Sequence, residues 1–135
     1  MRATLLALCC AGIAGHTMQP GESDHPAPDA SWHETDWSAW IARERGAKAE
    51  HKTADGSRVD VLTDGVAYEV EYADKWQQAV GQALFYSAAT GRAPGIILLI
   101  GKRSASLERV YYLRCLVVCH RHGIKLETVQ MKALL

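Results

Sequence analysis

The chain has 135 residues, 48% of them hydrophobic, enough for one compact domain with a real core plus appendages. Its 15 basic and 15 acidic residues cancel, so no bulk field advertises a nucleic-acid or membrane partner. A nucleic-acid role therefore needs a fold that gathers Lys48, Lys52, Arg58, Lys75, Arg92, Lys102 and Arg103 locally.

Arg2 precedes an apolar run from Ala3 to Gly15, the length of a secretory hydrophobic region and too short to span a bilayer. Small residues Gly12 and Ala14 offer a cleavage point near Ala14–Gly15. Residues 1–15 thus read as a signal peptide and the protein as exported, periplasmic or secreted. The alternative is a cytoplasmic protein whose leader is not a leader. Residues 16–34 hold Pro20, Gly21, Pro26 and Pro28 without periodicity, as a linker does. Thr35 or Asp36 opens a helix that runs to about Arg45 and stops at Gly46. Trp37, Trp40, Ile41 and Glu44 share one of its faces, and the tryptophans are expected to pack on a sheet.

Residues 47–53 read as a polar edge strand. The following Thr53-Ala54-Asp55-Gly56-Ser57 suits a three-residue hairpin loop with Gly56 left-handed. That register places Glu50 opposite Asp60; a two-residue turn places His51 there instead. Arg58 to Thr63 and Val66 to Tyr72 are rich in β-branched and aromatic residues, and Asp64-Gly65 between them is a strong hairpin signal. A two-residue turn pairs Thr63 with Val66, Asp60 with Glu69, and Arg58 with Glu71. Strand alternation puts Glu71 on the face of Asp60 and Glu69. Like charges opposed across a sheet destabilise it, so such a cluster points to a divalent cation and to hydrolytic or phosphoryl chemistry.

Asp74, with Gln77 three residues on, forms a capping-box pattern for a second helix. Its expected apolar face is Trp76, Ala79, Val80, Ala83, Leu84 and Ser87, flanked by Gln78, Gln82 and Tyr86. Gly91 ends it. Ile96 to Ile100 is a continuous apolar run typical of a strand buried on both faces. Ser104 or Ser106 opens a long helix to His122, Gly123 ends it, and Ile124 to Val129 alternates like a last strand. Residues 131–135 are a tail. Cys115 and Cys119 lie four apart on the long helix, where parallel Cβ vectors suit a disulfide poorly. They read as small buried residues, with His120 and His122 on the surface. The strands before and after the second helix run parallel, giving an α/β fold: a mixed β-sheet flanked by helices.

The order αβββαβ followed by a helix and a last strand, with acids on the second and third strands, resembles the PD-(D/E)xK phosphodiesterase superfamily, the restriction-endonuclease-like fold. The likeness covers residues 35–130. There an acid precedes the core hairpin, an Asp sits on one strand, and Glu-x-Lys or Asp-x-Lys on the next. Position by position, this implies Glu50 or Glu44 as first acid, Asp60 as second and Glu69 as third. Gln82 to Tyr86 is similar to the Q-x-x-x-Y helix motif of the exonuclease and resolvase branches. Where the family has lysine this chain has Glu71, and Lys75, four residues on, is the displaced stand-in.

The resemblance implies a magnesium- or manganese-dependent nuclease with the cation on Glu50, Asp60 and Glu69. Asp60, Glu69, Glu71 and Lys75 would form the catalytic group, and Gln82, Tyr86 and Arg58 would contact substrate. The implied partner is nucleic acid, DNA rather than RNA, and dimers are common among similar nucleases. The rival expectation is a catalytically degenerate relative that serves as a binding or structural module.

Overall fold

A computed structural model describes Pro28 and residues 31–131. The expected leader, most of the linker and the tail beyond residue 131 lie outside the described residues. Helix α1 is Glu34–Glu44. It starts earlier than Thr35 or Asp36 because His33 is the capping residue, and Asp36, inside the first turn, accepts the His33 backbone N–H at 2.9 Å. That shift moves Glu34 out of the linker and into the helix. Trp37, Trp40 and Ile41 are buried against Val61, Tyr68, Val70, Ile97 and Leu99, as their helical spacing requires.

Five strands follow: β1 (Lys48–Lys52), β2 (Arg58–Leu62), β3 (Val66–Tyr72), β4 (Ala93–Ile100) and β5 (Lys125–Gln130). They form one mixed sheet in the order β1-β2-β3-β4-β5. The first two pairings are antiparallel and the last two parallel. A parallel pair needs a crossover, and here each crossover is a helix. Helix α2 (Trp76–Thr90) joins β3 to β4 after a single 3-10 turn at Ala73–Lys75, and α3 (Ala105–His122) joins β4 to β5. Alternation along β4 divides the core in two: Ile97 and Leu99 face α1, while Ile96 and Leu98 face Ala79, Ala83, Cys115 and Cys119 on α2 and α3. The chain is therefore an α/β layered domain with α1 on one side of the sheet and α2 and α3 on the other.

The two hairpins fix the register that matters. Thr53 donates its backbone N–H to the Ser57 carbonyl at 2.9 Å across a loop whose Gly56 has φ +90°, so β1 and β2 pair as Ala49↔Val61 and His51↔Val59. Glu50 thereby faces Asp60, as the three-residue loop predicts. At the second turn the Thr63 N–H reaches the Val66 carbonyl at 3.0 Å, and the strands pair as Val61↔Tyr68 and Leu62↔Ala67. The ladder between β2 and β3 is short, comprising these two pairs. At the next position the Asp60 carboxylate itself accepts the Val70 N–H at 2.8 Å, replacing a backbone ladder bond. Gly95 is needed where β4 meets β3: a Cβ there would stand 2.5 Å from the Tyr68 ring and 2.7 Å from Val66.

Three expectations about side chains change. Asp74 does not cap α2; its carboxylate pairs with Arg103, at 2.9 Å, from the loop before α3. Leu84 is 41% exposed and Tyr86 is buried, because α2 is rotated so that Tyr86 rather than Leu84 faces the sheet. Arg58 does not pair with Glu71: β2 has left the β3 ladder by that point, and Arg58 lies 4.0 Å from Glu50 instead. Cys115 and Cys119 are buried free thiols with sulfurs 3.7 Å apart. Among the described residues, no helix is long and apolar enough to cross a membrane.

Candidate metal centre

The centre lies where β2 parts from β3. Strand β3 contributes Glu69 and Glu71, both buried, at 4% and 2% exposure. The residues between and beside them, Tyr68, Val70 and Tyr72, pack on the α1 side. Alternation therefore sends both glutamates the other way, and the strand's own hydrophobics leave them no freedom to flip. Asp60 enters from β2, held by the Val70 amide. The third element is α1, whose first residue is Glu34. Single carboxylate oxygens of Glu34, Glu69 and Glu71 all lie within 4.8 Å of one another.

Among the described residues, no cation neutralises the group as a whole. Lys75, on the turn after β3, stands 3.7 Å from Glu71 and is half exposed. The Glu71 carboxylate also accepts the Tyr72 N–H at 2.8 Å. Oε2 of Glu69 is buried without a hydrogen-bond partner, an arrangement that ordinarily costs about 1–3 kcal/mol and more for a charged group.

Acidity follows from this crowding. Burial pushes the Glu69 carboxyl up to about 10, Asp60 adding to the rise and the Tyr86 hydroxyl opposing it. Burial, then the neighbouring Glu71, raises Glu34 to about 8. Asp60 is raised to about 6 by burial, against the pull of the Val70 amide. The Tyr86 phenol is pushed up by burial and then by the charge of Glu69, to which its hydroxyl hydrogen-bonds. Such shifts mark groups whose charged forms lack a counter-ion, and they cluster at functional sites.

The sequence-derived site residues separate into two sets. Asp60, Glu69, Glu71, Lys75 and Tyr86 come together as expected. Gln82 is half-buried one turn before Tyr86 on α2. Glu50 stands at the rim: it has φ +50°, is half-exposed beside Arg58, and reaches Asp60 and Tyr86 only through its charge. Of the expected ligands Glu50, Asp60 and Glu69, only Glu69 is among the three carboxylates whose oxygens converge within 4.8 Å. Glu44 is at the far end of α1 from Glu34, about 15 Å along the axis at about 1.5 Å per residue.

Glu34 is the residue the sequence reading missed. Its only sequence signal is an acid three positions before Trp37, on a helix whose start is hidden because histidine is not an ordinary capping residue. Once Asp36 is seen as an interior acid of a capping box rather than as the cap, Glu34 falls on the first turn.

The donor set is all oxygen and anionic, with one buried oxygen left without a partner, which suits a hard divalent cation such as Mg²⁺ or Mn²⁺. Comparison of the chain with protein-family models, with curated proteins and with solved structures returns no match.

Proposed function

We propose that this chain is a metal-dependent phosphodiesterase of the restriction-endonuclease-like kind, acting on nucleic acid. One observation carries the reading: four carboxylates from three elements meet at one opening in the sheet, and a buried oxygen among them, Glu69 Oε2, has no hydrogen-bond partner. The order of helices and strands supports it, since an acid from the helix before the first strand, Asp60 from β2 and Glu69 from β3 are drawn together as that resemblance implies, with Glu71 standing where the family has lysine. Glu34 then takes the part first assigned to Glu50 or Glu44.

In this reading Glu34, Glu69 and Glu71 hold the cation, with Asp60 beside them. A bound cation would polarise a phosphodiester, lower the pKa of a water and stabilise charge on the leaving oxygen. The chain's own residues supply placement. Asp60 is fixed by the Val70 amide, and Glu71 by the Tyr72 amide, so neither swings away when loaded. Lys75, on a turn directly after β3, carries its ammonium beside Glu71 and is positioned to orient the attacking water. Tyr86 closes the floor under Glu69.

The test is direct. Full-length protein incubated with single- and double-stranded DNA and RNA is expected to cut in Mg²⁺ or Mn²⁺ and not in chelator. Asp60→Ala, Glu69→Ala and Glu34→Ala should each lower the rate by at least about a hundredfold, the scale of losing a key electrostatic group. Absence of cutting, with no cation-induced rise in melting temperature, replaces this reading with that of a degenerate module. Full activity in Lys75→Ala removes that lysine from the mechanism.

A further inference from the structure

The loop from Gly101 to Ser104, between β4 and α3, is built in an unusual way. Glu108, inside α3 and 3% exposed, accepts the backbone N–H groups of Gly101, Lys102 and Arg103 at 2.8, 3.0 and 3.0 Å. One carboxylate thus fills the concavity of three consecutive amides that would otherwise suit an anion. The loop is closed at its start as well. Gly101 has φ +119°, and a Cβ there would stand 2.9 Å from Gln130 Nε2 and 3.0 Å from the Met131 carbonyl. With the amides of residues 101–103 spent internally, these three residues can meet an anion only through their side chains.

Those side chains reach the segment that follows Glu71 of the candidate centre. Arg103 is tied to Asp74, one residue before Lys75. Lys102 sits over the Tyr72 ring, its ammonium 4.1 Å from the ring centre, and Lys75 reaches the same ring at 5.9 Å. Tyr72 follows Glu71, and its phenol feels both Glu34 and Glu71. Two ammonium groups therefore flank one aromatic ring at the mouth of the carboxylate cluster. Lys75 has a carboxylate within 4.0 Å and so does Arg103; Lys102 forms no ion pair among the described residues.

We infer that the Glu108-locked loop is a phosphate-backbone subsite, in which Lys102 contacts a phosphate of the nucleic-acid strand next to the one held at the carboxylate cluster. The inference rests on the phosphodiesterase reading and extends it: it names the strand's backbone, not its bases, as the ligand of this edge. Glu108 is a positioning residue and Lys102 the contact. Tyr72 is the surface that keeps the long lysine side chain extended toward the centre and lowers the entropy lost when it meets an anion.

The experiment measures binding of a short fluorescent DNA, single-stranded and duplex, to the full chain by anisotropy. Calcium replaces magnesium to limit cutting, and salt runs from about 50 to about 200 mM. Lys102→Ala is expected to weaken binding roughly three- to tenfold, independently of sequence, and to reduce the salt slope for duplex by about 0.9, the value of one phosphate contact. Lys102→Arg should restore both. Glu108→Gln should weaken binding in the same direction, and the Mg²⁺-induced rise in melting temperature should be unchanged in Lys102→Ala. Wild-type affinity and slope in Lys102→Ala overturn the subsite and leave the metal centre standing. A wild-type chain that binds neither DNA overturns it as well, and the Mg²⁺ melting shift then tells whether the cation site survives alone.

Discussion

Two carboxylates of this domain, half-buried Glu127 on β5 and buried Glu69 on β3, are handled in opposite ways. Glu127 is surrounded by partners: Arg45 pairs with it, Lys125 lies 3.1 Å away and the Tyr68 hydroxyl donates to it at 3.2 Å. Burial pushes its carboxyl up, but Arg45 and Lys125 outweigh that, and the group ends below its ordinary value. Arg45 also lies over the Tyr68 ring. Glu69, more deeply placed, has Asp60 and Glu34 for neighbours and no counter-cation among the described residues, and it ends far above its ordinary value. Glu108 shows a third solution, three amides for one carboxylate. The fold can evidently satisfy buried acids by counter-charge or by backbone. The Glu69 group instead has other acids beside it, and shifts of this kind cluster at functional sites.

The contrast breaks most visibly at Glu127. Glu127→Ala leaves Arg45 without its carboxylate and the Tyr68 hydroxyl without its acceptor. A loss of about 3 kcal/mol is expected, the lower end for removing one partner of a buried pair. At roughly 4–8 °C per kcal/mol for a domain of this size, the melting temperature should fall by more than about 10 °C. Calorimetry of the two proteins checks it. A near-neutral change would mean the Glu127 cluster is ornamental, and the comparison with Glu69 would lose its reference.

Glu69→Gln should do the reverse. It removes an acid that burial and Asp60 both oppose, and an amide can donate to the neighbouring carboxylate. The cation-free protein is expected to gain about 1–2 kcal/mol, the usual scale for relieving a strained functional site. The same variant should lose the Mg²⁺-induced rise in melting temperature. Denaturant melts with and without cation measure both effects, and a destabilised Glu69→Gln protein would show that the carboxylate has a structural partner.

How much of this was open to sequence reasoning depends on the range of the interaction. The hairpin turns are local: Asp64-Gly65 and Asp55-Gly56-Ser57 fix their registers by chain geometry, and both are found as read. The apolar run of β4 and the two tryptophans of α1 declare their burial by period alone. What escaped depends on contacts between distant segments. Glu34 needs the exact start of α1 and its approach to β3. The Arg58–Glu71 pairing failed because Asp60 takes the Val70 amide and ends the ladder, an event that no alternation pattern records. Asp74 reads as a cap because its neighbours fit the motif, yet Arg103, from the loop after β4, competes for it. Tyr86 was read as a flanking residue for the same reason: helix rotation is set by the sheet it meets, not by the helix.

The smallest expected effect sharpens the comparison through its sign. Glu34, Asp60 and Glu69 have folded values of about 8, 6 and 10 against ordinary values of 4.5, 3.8 and 4.5. All three are raised, so their contribution to stability is complete below the ordinary values and is lost as pH climbs through the folded ones. Glu127 is lowered, so its contribution is present above its ordinary value and fades only in acid. Between about pH 5 and about pH 8, then, Glu127 holds level while the cluster weakens, and the cation-free protein should melt a few degrees lower at the alkaline end. A divalent cation competes with protons for the same oxygens, so Mg²⁺ should raise the melting temperature more at the alkaline end and flatten the slope. Glu69→Gln should flatten it without cation, and Glu127→Ala should leave it in place at a lower temperature. An Mg²⁺ effect that is equal across the range, or larger in acid, would mean that the cation and the protons do not share these carboxylates, and the metal centre would have to be sought elsewhere on the chain.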